Sequence, residues 1–126
     1  VCDWVLSPAK INYDINLFAL NIFSSIVNEL DYEGVLGIEF FFGKRGLLIN
    51  EIAPRTHNSG HFSIEACSSS QFDQHICISS GIQPPEIKMI SNGSVMINLL
   101  GLKKGYSFSL KERINRLSEL EGSNLH

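Results

Sequence analysis

The sequence predicts an α+β fold, with an antiparallel hairpin and helices in a first unit and a smaller β-rich unit after it. Three observations predict it. Two apolar runs, "GVLGIEFFF" and "LLINEIAP", flank Gly43-Lys44-Arg45-Gly46, the signal of a β-hairpin. Before them, Ile15, Phe18, Ile22, Ile26 and Leu30 recur at three- and four-residue steps, the period of a helix with one apolar stripe. After them "GIQPPE" breaks the chain, and beyond the break stand a strand-like "SVMINLLG" and an amphipathic "SLKERINRLSELEG". The expected division is therefore 1–84 and 85–126, the second unit being truncated.

The elements follow in order. Residues 2–7, "CDWVLS", read as a short strand ended by Pro8. A helix is expected over 13–30, with Asn12 or Asp14 supplying the N-cap oxygen. Polar Asn21, Ser25 and Asn28 fall largely off its apolar stripe, so this helix is scaffold. In the hairpin, register decides which side chains meet. A two-residue turn at Lys44-Arg45 pairs position 39 with position 50. A three-residue loop, with Gly46 in the left-handed region, pairs 39 with 51. A one-residue slip turns every side chain to the other face. The second geometry is favoured, because Gly46 suits it. A second helix is expected over 62–80, and a last one carries Ile114, Leu117 and Leu120 on one side.

Composition narrows the function. The chain has 126 residues, 44% hydrophobic and 18% charged, as a globular protein does. Its formal net charge is -3 and no basic stripe stands out, which argues against nucleic acid as a partner. No secretory signal is read at the start, and no segment approaches the roughly 20 apolar residues of a membrane span. Cys2, Cys67 and Cys77 read as cytosolic thiols packed as small hydrophobes, so a cytoplasmic protein is expected. The chain opens at Val1 inside a strand-like run and closes at "EGSNLH" as a new apolar segment begins. The expectation is a fragment of a longer protein.

The chemistry gathers in "NEIAPRTHNSGH", residues 50–61. Glu39 lies among Val35, Leu36, Ile38 and Phe40–Phe42, where a carboxylate is costly to bury unless paired or bound to metal. The ordinary alternative is a solvated residue on the open face of a hairpin. Glu51 also lies in an apolar strand, and the favoured register sets it beside Glu39. Two adjacent carboxylates repel, and a divalent cation turns that repulsion into binding. Magnesium suits them: it takes oxygen ligands, keeps several waters and is often shared with substrate phosphates. Arg55, after Pro54, offers a planar fork to a carboxylate, a phosphate or a bicarbonate, or else a weak surface ion pair. His57 and Asn58 could bond the same anion, and Ser59-Gly60 leads toward a helix start whose free N–H groups favour anions.

Other readings are weaker. His57, His61, Cys67, His75 and Cys77 are too scattered for a compact zinc module. Cys67 and Cys77 fall inside an expected helix with no orienting partner, which speaks against a nucleophile. The GxxxxGK[ST] phosphate loop is missing.

"GVLGIEFF", "LLINEIAPRTHNSGH", "IEACSSSQFDQH" and "SVMINLLG" together resemble the 5-(carboxyamino)imidazole ribonucleotide synthase family of ATP-grasp enzymes. The likeness runs over about 34–101 and is looser on both flanks, and "NEIAPRxHNSGH" is its specific motif. It implies that 1–84 is the C-terminal part of an ATP-grasp domain and that 85–126 begins a small C-terminal domain. It implies an ATP-dependent ligase that carboxylates 5-aminoimidazole ribonucleotide with bicarbonate in de novo purine biosynthesis, through carboxyphosphate. Glu39 and Glu51 would be the magnesium ligands, and Asn50 and Glu51 would line the ATP phosphates. Arg55 would hold bicarbonate, with His57 and Asn58 as its catalytic neighbours. The full-length protein could be a homodimer. Many ATP-grasp proteins carry asparagine two residues after the second metal-binding acid; Ala53 stands there, which the narrower family accepts. The adenine pocket, the glycine-rich lid and the ribonucleotide-phosphate segment would lie outside these residues, so the fragment alone is expected to be inactive. The alternatives are another ATP-grasp carboxylase, a formate-using purine enzyme, or a binding remnant without catalysis.

Overall fold

The computed structural model describes residues 3–100 and 109–126. The expected thiol of Cys2 and the end of the "SVMINLLG" run at Gly101 lie outside them. The architecture is α+β, built from two antiparallel strand pairs and a set of helices.

Strand β1 (Trp4–Ser7) is followed by helix α1 (Tyr13–Glu29). Asn12 caps α1, its side-chain oxygen accepting from the Ile15 N–H at 2.9 Å. The half-buried face of α1 is made by Ile15, Ala19, Ile22, Ile26 and Val27. Phe18 and Leu30, expected on that face, are instead exposed. A stripe stepping 15, 19, 22, 26 follows the helical period as well as one through 18, and only packing chooses between them.

Strands β2 (Gly37–Gly43) and β3 (Gly46–Ala53) form the hairpin. Gly43 pairs with Gly46, closing a two-residue turn at Lys44-Arg45 rather than the expected three-residue loop. Gly46 does take the left-handed conformation, with φ of 83°. At this register Glu39 would face Asn50. A β-bulge intervenes: Phe40 pairs with Ile49, whereas Glu39 pairs with Glu51, so Asn50 is the extra residue. The expected pairing of Glu39 with Glu51 thus arises, but from a bulge and not from the loop.

The expected helix over 62–80 is broken. A 3₁₀ turn (Asn58–Gly60) leads into short α2 (Ser63–Ala66), and α3 begins afresh (Gln71–Ser79). Between them Cys67 is extended and forms a bridge with Met89. The Ser68 N–H donates to Lys88 O at 2.8 Å and the Ile90 N–H to Ala66 O at 2.8 Å. Ser70 and Asp73 then form a capping box that starts α3. Local helical pattern loses here to strand-like pairing with a segment about twenty residues away.

Strand β4 (Ser94–Ile97) pairs antiparallel with β1, Trp4 opposite Ile97 and Ser7 opposite Ser94. Backbone hydrogen bonds therefore cross the expected division at residue 84 in two places. Helix α4 (Leu110–Ser118) starts at a second capping box, Ser109 with Glu112. Among the described residues the buried set is small: Ala53, Ala66 and Cys67, with polar Ser63, Ser69, Ser70 and Gln74. No helix among them is long and apolar enough to cross a membrane.

Candidate functional site

The bulge shapes the site. An inserted residue bends its strand and re-aims the side chains beside it. Asn50 accordingly reaches across to Glu39, its Nδ2 donating to Glu39 Oε2 at 3.0 Å. Glu51 stands opposite Glu39 in the ladder. Two carboxylates and one amide are thus collected from two strands at the bulge, and both acids keep solvent access.

The chain leaving β3 wraps back over them. Ala53 is buried, and the Arg55 N–H donates to Ala53 O at 2.8 Å, turning the chain directly after the strand. Arg55 Nη2 lies 3.7 Å from Glu51 Oε1, and Nη1 donates to Thr56 O at 2.9 Å. Exposure makes this ion pair weak, about 0–1 kcal/mol. The guanidinium is therefore oriented without being used up.

His57 is the most enclosed of the group, its side chain only 13% exposed. Its Nδ1 lies 2.8 Å from Ser59 Oγ and accepts from the Ser59 N–H at 3.3 Å. The Ser59 N–H on Nδ1 leaves Nε2 as the ring nitrogen able to donate outward. Nε2 faces both acids, 3.6 Å from Glu39 Oε1 and 3.8 Å from Glu51 Oε1. Gly37 allows this approach, because a Cβ there would fall 2.9 Å from His57 Cβ.

Of the residues singled out from sequence, Glu39, Asn50, Glu51, Arg55 and His57 come together. Asn58 stands apart: it opens the 3₁₀ turn and lines a cavity of about 760 Å³ with His61, Phe62 and Glu65. Neither Glu39 nor Glu51 lines that cavity, so the site rests on the cross-strand geometry and not on concavity. Among the described residues no group of three or more His, Cys, Asp or Glu side chains is arranged to hold a metal ion. Two acids fit a hard cation that completes its shell with water and phosphate oxygens, as magnesium does. Cys67 is buried and Cys77 partly so, both as free thiols.

Sequence reasoning overlooked Gln71. Its amide bonds the main chain of His57 on both sides, at 2.8 Å and 2.8 Å. Nothing in the run "SSSQFDQH" marks that glutamine, since its partner lies fourteen residues back.

Comparison with known proteins adds to the geometry. The ATP-grasp domain family matches residues 1–72. An N5-carboxyaminoimidazole ribonucleotide synthase of Synechocystis sp. is 38% identical over the whole of this chain and 34% of its own length. The crystal structure of N5-carboxyaminoimidazole ribonucleotide synthetase from Thermus thermophilus superposes with a TM-score of 0.78 at 33% identity, over 98% of this chain and 32% of that one. N5-carboxyaminoimidazole synthase of Aspergillus clavatus, in complex with ADP and 5-aminoimidazole ribonucleotide, gives a TM-score of 0.70 at 35% identity, over 80% of this chain and 28% of that one. The chain spans about a third or less of the relatives' length.

Proposed function

The chain belongs to the ATP-grasp family, and we propose that it carries the magnesium-and-oxyanion corner of an enzyme that carboxylates 5-aminoimidazole ribonucleotide. In this reading ATP and bicarbonate are consumed, and 5-carboxyaminoimidazole ribonucleotide, ADP and phosphate are formed in de novo purine (IMP) biosynthesis. Magnesium, bicarbonate, a cytoplasmic location and a homodimer of the complete protein belong to the same proposal. So does a second unit beginning near residue 85, with β4 returning to pair with β1.

One observation carries it: the bulge at Asn50 that sets Glu39 against Glu51. Like charges directly opposite in a ladder are unfavourable, so a cation site is the economical explanation of the pair. Glu39 and Glu51 would hold magnesium, which neutralises charge on the transferring phosphoryl group. Asn50, exposed at the bulge and bonded to Glu39, would meet the phosphates of ATP together with Glu51. Arg55, oriented by Glu51 and by Thr56 O, presents its remaining N–H groups to planar bicarbonate. His57 offers its Nε2–H at the same corner, next to where negative charge accumulates. Asn58 would act from the start of the 3₁₀ turn. Positioning and charge neutralisation are what phosphoryl transfer asks of a protein.

The test uses the complete protein. ATP hydrolysis is expected only with bicarbonate and 5-aminoimidazole ribonucleotide both present. Glu51→Gln is expected to lower turnover by about a hundred-fold or more while circular dichroism stays native. Normal turnover in that variant would sink the metal assignment. Formate replacing bicarbonate as the productive substrate would move the chain to a formate-using relative.

A further inference from the structure

Resting on the function proposed above, the geometry points to Gln71 as a positioning residue, whose amide fixes the main chain of His57 and thereby holds the imidazole against Glu39 and Glu51. Gln71 Oε1 accepts from the His57 N–H at 2.8 Å, and Nε2 donates to His57 O at 2.8 Å. The same Nε2 lies 2.7 Å from His61 Nδ1. One side chain thus does for His57 what a neighbouring strand does for a residue in a ladder, satisfying both N–H and C=O. The amide's orientation is forced. Exchanged, it would set N–H against N–H and oxygen against oxygen.

The grip is built from both sides. Gln71 is the first residue of α3, and the Ser70–Asp73 box fixes where that helix begins. The Gln71 N–H donates to Ser63 Oγ at 3.0 Å, and that hydroxyl donates to Gly60 O at 2.6 Å. A Cβ on Gly60 would lie 2.7 Å from Gln71 Oε1, so glycine is what lets the amide approach. On the far side of His57, Gly37 leaves no spare room either. With Gln71 on its backbone and Ser59 on Nδ1, His57 retains one free polar atom, Nε2, and that atom faces the acids. Gln71 therefore acts through His57 and not on the reacting groups.

The experiment compares Gln71→Ala, Gln71→Glu and Ser69→Ala in the complete protein. Ser69→Ala removes a buried hydroxyl two residues before Gln71 that bonds Gln74 and not the His57 corner. Two readouts are taken: KM and kcat for bicarbonate against KM for ATP, and nitrogen-15 NMR of the His57 imidazole. Gln71→Ala is expected to lower kcat/KM for bicarbonate by about ten- to a hundred-fold, with KM for ATP within about two-fold. The His57 ring signals should shift and broaden as the imidazole leaves its single position against the acids. Gln71→Glu, which keeps the acceptor for the His57 N–H, should fall between, and Ser69→Ala should retain both signatures. Unchanged imidazole signals in Gln71→Ala overturn the inference. Equal kinetic losses in Gln71→Ala and Ser69→Ala also overturn it, by reducing Gln71 to packing. If the complete protein consumes no bicarbonate at all, the proposed reaction fails, while the imidazole signals still decide the role of Gln71.

Discussion

Helix α1 and the segment from His57 to Gln74 invert one another. On α1, Leu17, Phe18, Leu20 and Phe23 face solvent, Phe18 at 52% exposure, and no residue of the helix is buried. In the segment, the buried side chains are mostly polar: Ser63, Ser69, Ser70 and Gln74. Each has a partner. Gln74 Nε2 donates to Ser69 Oγ at 3.0 Å and to Pro85 O at 2.8 Å, while Ser63 and Ser70 serve Gly60, Gln71 and Asp73. A helix that is apolar on nearly every side expects cover from another surface. Apolar cover is non-directional and fixes no angle. The polar segment is held by directional bonds, which fail if a donor moves by an ångström. The difference teaches where precision is needed: bonds crowd under His57, and the loosely specified surface lies on the scaffold.

The comparison can be broken from its rigid side first. Gly37→Ala places a methyl against His57 Cβ, which is no flexible side-chain end. A loss of about 1–3 kcal/mol is expected in urea unfolding, together with a displaced His57 ring signal. An unperturbed variant would show that the corner has slack. Ser70→Ala removes one hydroxyl of the α3 cap and is expected to cost about 1 kcal/mol.

Acid sharpens the same point. The Ser70 N–H, and next its hydroxyl, hold Asp73 below its ordinary value of 3.8. A carboxylate lowered in the folded state contributes stability above its unfolded value, and that contribution is lost as pH falls through the folded value. The difference in stability between wild type and Asp73→Asn should therefore be constant above 3.8 and shrink below it. A difference that does not change across that window would remove the cap from the account. Glu112, lowered first by the Ser109 N–H and then by its hydroxyl, titrates in the same direction.

The smallest effect is expected on the loose side. Phe18→Ser changes the stability of this chain by no more than about 0.5 kcal/mol, because the ring has little to lose. Light scattering should show less self-association, as expected when an exposed apolar patch shrinks. A large loss of stability would mean that α1 is already covered in solution.

Much of this was legible in residues. The hairpin, the left-handed Gly46, the Asn12 cap and the amphipathic helix at the end follow from turn chemistry, periodicity and capping, which act within a few positions. The kinds of groups at the site were legible too, since acids in apolar strands and an arginine after proline carry their own physical cost and use. Three features were not. The bulge at Asn50, the break of the long helix at Cys67–Ser70 and the grip of Gln71 on His57 each depend on partners eleven or more residues away. Turn chemistry, periodicity and capping settle the hairpin, α1, α4 and the kinds of groups at the site. How Glu39 meets Glu51, where the second helix breaks, which face of α1 turns inward and what holds His57 still are left to pairing across the chain, which outweighs propensities worth tenths of a kcal/mol to about 1 kcal/mol.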